Sequence, residues 1–185
     1  MVRYGAIDGR ILAWQPSTWP EALPKWDGTL PAILRKVFEE SMLNEIDNVI
    51  ADAGGNLEHR GHVVTIALLC SLDAISSYGY GARSGQQIPD FIAAHFPGEY
   101  HPHAKAVLHL YRHAMVHSWN LFEAAITPGA EAVTSNNGVL CFGLLHLSEA
   151  VRTGMNDYLR KLESDPKLQG PTLKRYRKLR GSAKD

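Results

Sequence analysis

The sequence contains few cysteines and has no excess of charge of either sign. Its two cysteines, Cys70 and Cys141, both lie in apolar runs, so we expect buried free thiols rather than a disulfide framework. Such thiols are typical of a reducing compartment. Lys plus Arg and Asp plus Glu both number 19, so the overall charge gives no argument for a nucleic acid or an anionic surface as partner.

Targeting and membrane signals are also missing. Residues 1–9 lack the positively charged region followed by an apolar core that marks a secretory signal. The longest apolar runs, such as residues 63–70, are much shorter than a membrane span. We therefore expect a cytoplasmic protein that has no membrane association.

Several familiar catalytic motifs are absent. No Glu follows the histidines in the zinc-hydrolase pattern, and no pair of cysteines lies near them. Residues 79–81 are rich in glycine but lack the strand-to-helix setting of a phosphate loop. No serine lies in a nucleophile elbow. The sequence therefore predicts neither a bound cofactor nor a metal.

Helical periodicity dominates the chain, which has 185 residues and 45% hydrophobic content, enough for one domain with a substantial core. Apolar residues recur at steps of three and four, and one segment is apolar nearly all round with a single acid, Asp73. We predict helices over residues 31–52, 61–78, 88–95, 101–119 and 144–162. The predicted fold is mainly α, a four- to five-helix up-and-down bundle with one or two small β-hairpins.

Two segments favour those hairpins. The dipeptide Asp8-Gly9 suits a tight turn between residues 2–7 and 10–14, and a Pro/Trp-rich arm follows to residue 28. Residues 122–126 look strand-like, and residues 139–142 could pair with them across a loop that contains Asn136-Asn137-Gly138. We divide the chain into an N-terminal hairpin and arm (1–28), a helical domain (29–165) and a basic tail (166–185).

The basic tail has two interpretations. Its lysines and arginines could bind RNA phosphates. A solvated, disordered end is the more common outcome for a run of like charges, with at most a frayed helix after Pro171.

The predicted helix over residues 101–119 carries four polar side chains that attract attention: His109, Arg112, His113 and His117. Residues four apart on a helix are neighbours, so the histidines form a drifting stripe, and Arg112 lies roughly 100° from His113. Polar groups on a buried helix face are costly unless they have partners. This cost is the physical reason to expect a functional site on this helix.

The run Leu-Tyr-Arg-His-Ala-Met-Val-His-Ser-Trp, residues 110–119, resembles the signature of the HEPN superfamily. Those domains are helical bundles with an Arg, an adjacent polar residue and a His five positions after the Arg. Arg112, His113 and His117 match that pattern, and Trp119 stands where many members have an aromatic residue. The resemblance covers about residues 30–162, although only about ten of them are motif-like.

The resemblance implies metal-independent RNA cleavage by a toxin or defence component. Neutral His117 would take the proton of a 2′-hydroxyl, and Arg112 would hold the phosphate and its added charge. His113 would orient the substrate or donate a proton. Asp73 would hold Arg112 or His117 in place, as acids of an earlier helix do in similar domains.

A homodimer belongs to this hypothesis. Arg112 and His117 lie about 7.5 Å apart along the helix axis and roughly 140° around it, so one helix does not bring them together. A two-fold dimer that places this helix against its copy would unite both pairs in one cleft, as is usual in the family. RNA and an antitoxin or another protein are the further partners that the resemblance implies.

Other interpretations stay open. Arg112 and Asp73 could form a buried ion pair that only positions two helices, and His117 could be a core histidine bonded to a backbone carbonyl. A non-catalytic HEPN-like module that binds a nucleotide, RNA or a protein is the alternative function. The spacing of His109, His113 and His117, with His101 and His103 nearby, also permits a metal site.

Overall fold

A computed structural model of the chain describes residues 29–53, 57, 61–83, 85–111, 124–128 and 131–181. These residues are mainly helical and include one small three-stranded sheet. The predicted N-terminal hairpin and Pro/Trp-rich arm lie outside the described residues.

The first helical stretch has the bounds that its apolar periodicity predicts. It consists of α1 (Leu30–Phe38), a π-helical turn (Glu39–Leu43) and α2 (Asn44–Asp52). Thr29 occupies the N-cap position with an extended backbone, although its side chain makes no capping hydrogen bond. Pro31 lies in the first turn, where its missing N–H costs nothing.

A long apolar helix, α3 (Gly61–Tyr80), lies at the centre of the fold, as predicted. It contacts α2 and α4 (Gln87–His95). A 3₁₀ segment (Gly98–His103) then leads into α5 (Ala104–His109), and the helical turn continues to Tyr111, the last described residue before a gap. Because α3 has neighbours on several sides, its apolar residues fill the core, and Leu68, Leu72 and Ile75 are fully buried.

The small sheet differs from the predicted second hairpin. Strand β1 (Ala124–Thr127) pairs in parallel with β3 (Val139–Gly143), and β2 (Val133–Asn136) pairs antiparallel with β3. The predicted contact between β1 and β3 is therefore present, but the hairpin joins β2 and β3. Asn137 and Gly138 both have positive φ values, of 50° and 80°, which suit the two-residue turn between antiparallel strands. A parallel pair needs a longer crossover, which the β2 strand provides here.

Two helices complete the fold: α6 (Leu144–Leu162) and α7 (Pro166–Gly181). Both contact α3, and α6 also contacts α1 and α4. The expectation of a disordered end does not hold for residues 166–181. They form a helix that begins five residues before Pro171, and Thr172 on that helix is fully buried.

Within the described part of the chain, α3 is the one helix that is long and apolar enough to cross a membrane on those two criteria. The uninterrupted apolar runs in the sequence are too short to indicate such a helix, because α3 meets the criterion by its mean hydropathy over a longer window. A core helix of a water-soluble fold meets the same criteria, and half of the qualifying window is buried inside the protein.

Candidate functional site

Asp73, the single acid of α3, is the centre of a polar cluster that joins three helical segments. Its carboxylate accepts a hydrogen bond from Nε2 of Gln87, the first residue of α4. It also bonds to the hydroxyl of Tyr111, at the end of the turn that follows α5. Asp73 is half-buried and Gln87 is fully buried, so the carboxylate lies at the edge of the core.

The surroundings of Asp73 make its ionised form less favourable than it is in water. Burial raises the pKa of Asp73, and the Tyr111 hydrogen bond and the positive charge of Arg175 on α7 reduce that rise without cancelling it. Burial and the neighbouring carboxylate raise the pKa of Tyr111 to about 12, so its hydroxyl remains a hydrogen-bond donor at neutral pH. The ionised carboxylate is therefore only partly compensated by its partners.

Of the four predicted site residues, the structure describes only Asp73, and Asp73 contacts a residue that is adjacent in sequence to the first of the other three. Arg112, His113 and His117 lie outside the described residues. Asp73 is hydrogen-bonded to Tyr111, the residue directly before Arg112. The pairing of Asp73 with Arg112 or His117 stays a prediction.

Cys70 lies one helical turn before Asp73 and corrects an expectation. It is exposed, because α3 presents this position to solvent, whereas Cys141 on β3 is half-buried. Partial burial of the thiol and the negative charge of Asp73 raise the pKa of Cys70. Since the thiolate is the nucleophilic form, this cysteine is poorly suited to covalent catalysis at neutral pH.

A second polar cluster surrounds His95 on α4. Its side chain is 1% exposed. Nδ1 lies 2.8 Å from Oδ2 of Asp157 on α6, and Nε2 lies 2.9 Å from the hydroxyl of Tyr80 at the end of α3. The rings of Phe91 and Tyr158 pack against the imidazole with centroid distances of 4.8 and 5.5 Å.

Asp157 carries the negative charge of this second cluster. Burial acts to raise the pKa of Asp157, but hydrogen bonds from Lys161, His95 and Arg160 outweigh it and hold the pKa well below its usual range. Burial lowers the pKa of His95, against the attraction of Asp157. An ionised carboxylate can only accept, so Nδ1–H donates to Asp157 and Nε2 accepts from Tyr80.

Tyr80, His95 and Asp157 form a hydrogen-bonded chain of the residue types found in catalytic relays, but its surroundings indicate a structural role. The imidazole is enclosed by aromatic rings, and both ring nitrogens are already bonded within the protein. The cluster ties α3, α4 and α6 together. No local sequence signal reveals it, because His95 and Asp157 are 62 positions apart.

The described residues offer no cluster of metal ligands. They contain no group of three or more His, Cys, Asp or Glu side chains placed to hold a metal ion. His101, one of the histidines in the metal interpretation, has Nε2 2.9 Å from the carbonyl oxygen of Phe96. His113 and His117, which that interpretation needs, lie outside the described residues.

Comparisons with known proteins give no relative for this chain. No protein-family model, curated protein or solved structure matches it. Any functional assignment must therefore rest on the chain's own residues: the motif at 112–117 and the polar cluster that meets it at Tyr111.

Proposed function

We propose that this chain is an HEPN-like, metal-independent endoribonuclease that acts in the cytoplasm as a toxin or defence component. Its helices would form the four- to five-helix up-and-down bundle of that superfamily. The observation that supports the proposal best is the contact between Asp73 and Tyr111. This contact ties the only acid of the central helix to the residue from which the Arg112-to-His117 motif continues.

The proposed reaction needs only side chains of this motif. Neutral His117 removes the proton from an RNA 2′-hydroxyl, and the oxygen attacks the adjacent phosphorus. The P–O5′ bond breaks, which leaves a 2′,3′-cyclic phosphate and a 5′-hydroxyl end. His113 orients the substrate or donates the proton that the departing 5′-oxygen takes up. Arg112 binds the phosphate oxygens and stabilises the charge that develops on them.

Asp73 has the role of a positioning residue in this proposal. Its bond to Tyr111 orients the turn that precedes Arg112, and its negative charge would attract the guanidinium of Arg112. A half-buried carboxylate with a raised pKa is typical of functional sites, where burial is retained despite its cost.

The test is cleavage of mixed RNA by the purified full-length chain in the presence of EDTA. Wild type should yield cyclic-phosphate ends, and RNA with 2′-deoxy sugars should resist cleavage. His117→Ala and Arg112→Ala should each lose about 100-fold or more of the rate. His103→Ala, a histidine substitution outside the motif, should retain it. No cleavage by wild type, or equal cleavage by all four proteins, would refute the proposal.

A homodimer is the assembly in which we propose that the site works. Mixing the His117→Ala and Arg112→Ala chains should restore part of the activity, because a mixed dimer carries one intact Arg112 and one intact His117. Inactivity of the mixture would indicate that each site uses the two residues of a single chain. A protein that sediments as a monomer at assay concentration while cleaving RNA would rule out the shared cleft.

A non-catalytic HEPN-like module that binds RNA, a nucleotide or a protein is the second candidate. The observation that favours it is that the carboxylate of Asp73 already has two hydrogen-bond partners, Gln87 and Tyr111, neither of which belongs to the motif. RNA binding by wild type with no turnover, unchanged by Asp73→Asn, would favour this function over cleavage.

A further inference from the structure

The last described helix, α7, concentrates positive charge. It contains six basic residues and no acidic residue, although the whole chain has 19 residues of each sign. The basic residues are Lys167, Lys174, Arg175, Arg177, Lys178 and Arg180. A neutral chain that gathers one sign of charge on one helix has a strongly polarised surface, which attracts a polyanion locally.

The two faces of α7 differ sharply. Thr172 on the inner face is fully buried, and its hydroxyl lies 2.6 Å from that of Tyr158 on α6. Lys167, Lys174 and Arg177 are exposed. On a helix with 100° per residue, Lys167 and Lys174 lie within about 20° of each other, and Arg177 lies about 60° away. These three cations therefore share the outer face.

Arg175 connects this outer face to the Asp73 cluster. It lies on the flank of α7 that faces α3, and its charge acts on both Asp73 and Tyr78 of that helix. No acceptor among the described residues takes a hydrogen bond from its buried Nε. Arg175 therefore places a positive charge near Asp73, at the edge of the cluster that contains Tyr111.

We infer that the outer face of α7 binds the phosphates of single-stranded RNA and guides the strand toward the Arg112-to-His117 motif. The inference rests on the proposed function, because RNA is the substrate proposed there. Phosphate contacts by lysine and arginine need no base sequence, so this surface would supply affinity rather than specificity.

An anionic membrane is the other polyanion that a basic helix can bind. A membrane-bound amphipathic helix buries an apolar face among the lipids. The inner face of α7 is already packed on α3 and α6, and Leu168 and Tyr176 rest against the core. Leu173 and Leu179 on α7 are partly exposed, but they lie about 120° apart around the helix and form no continuous apolar face, so the structure favours RNA.

The test is equilibrium binding of a fluorescent RNA oligonucleotide to the full-length chain in a His117→Ala background, so that cleavage does not interfere. Binding is measured between about 50 and 200 mM KCl. Each phosphate contact on a single strand contributes about −0.7 to the slope of log K against log salt. The triple variant Lys167→Gln, Lys174→Gln, Arg177→Gln should therefore bind more weakly and reduce the slope by about 2.

The matched control removes three cations elsewhere: Arg35→Gln, Lys36→Gln and Arg152→Gln on α1 and α6. It should keep most of the slope. The inference fails if the triple variant and the wild type share one slope, or if the control loses as much as the triple variant. It also fails if the triple variant binds RNA as the wild type does and loses only its cosedimentation with phosphatidylserine vesicles. Cleavage is not measured in this assay, so failure of the nuclease proposal shows separately, as an inactive wild type.

Discussion

The substitution Asp157→Asn should destabilise the fold by about 2 kcal/mol at neutral pH. The ionised carboxylate accepts a hydrogen bond from enclosed His95, and hydrogen bonds that involve a charged group contribute about 1.5–3 kcal/mol. An amide keeps a neutral bond to Nδ1 that contributes about 1 kcal/mol. The bonds to Lys161 and Arg160 are solvent-screened, since those side chains are 45% and 76% exposed, so they contribute about 0.5 kcal/mol each.

Urea unfolding at equilibrium measures this loss, and Asp47→Asn is the matched control. Asp47 also pairs with an arginine, Arg152, but its side chain is 48% exposed. Its replacement should cost less than about 1 kcal/mol. Equal losses in the two variants would show that the His95 cluster contributes no more than an ordinary surface pair.

The pH dependence provides a second check. The pKa of Asp157 is lower in the folded protein than its usual value of about 3.9, so its stabilisation is present above that value and is lost as the pH falls. The stability difference between wild type and Asp157→Asn should therefore shrink by about 1 kcal/mol between pH 6 and pH 3. A difference that stays constant over this range would refute the assigned charge state.

Two further predictions concern α3 and α6. Asp73→Asn should leave the free energy of unfolding unchanged or raise it at pH 7, because burial raises the pKa of Asp73 and disfavours its charge, and a clear loss in urea unfolding would contradict this. Gly154→Ala should destabilise by about 1–2 kcal/mol by thermal unfolding, because the new Cβ would lie 2.7 Å from Cδ1 of Phe96 and overpacking exceeds the helix-propensity gain of about 1 kcal/mol. Gly61→Ala is its control, since the nearest atom there lies 3.8 Å away on Leu144, and it should show no loss.

The helices could be predicted from sequence wherever periodicity and local signals agree. Residues 144–162 show an apolar stripe of helical period, and the helix has those bounds. The helix α7 begins five residues before Pro171, where the sequence predicts at most a frayed helix after that proline, although a local start signal is present. Asp165 caps the helix by accepting a hydrogen bond from the backbone N–H of Lys167 at 2.8 Å, and Pro166 occupies the first position. Pro171 is a residue that favours a helix start, but the helix accommodates it in its interior.

Contacts between distant segments could not be predicted in this way. The bond from His95 to Asp157 depends on how α4 packs on α6, which no local pattern specifies. The parallel pairing of β1 with β3 is similar, because the Asn137-Gly138 turn predicts only its own hairpin. For the candidate site, the resemblance to HEPN domains suggests Asp73, because acids of an earlier helix hold the motif residues in similar domains. Its partners Gln87, Tyr111 and Arg175 needed the fold.

Asp73 and Asp157 are both half-buried, but their charges affect the stability of the fold in opposite ways. Asp157 has three basic partners and a lowered pKa, so its charge stabilises the fold. Asp73 has a raised pKa because a tyrosine, an amide and one arginine do not compensate its burial. Groups whose surroundings displace their pKa in opposite directions commonly have different roles. A carboxylate that costs stability and contacts the residue before Arg112 is better explained by a role in the site than by a role in the fold. Reduced RNA cleavage by Asp73→Asn, without any loss of stability, is the result that this argument requires.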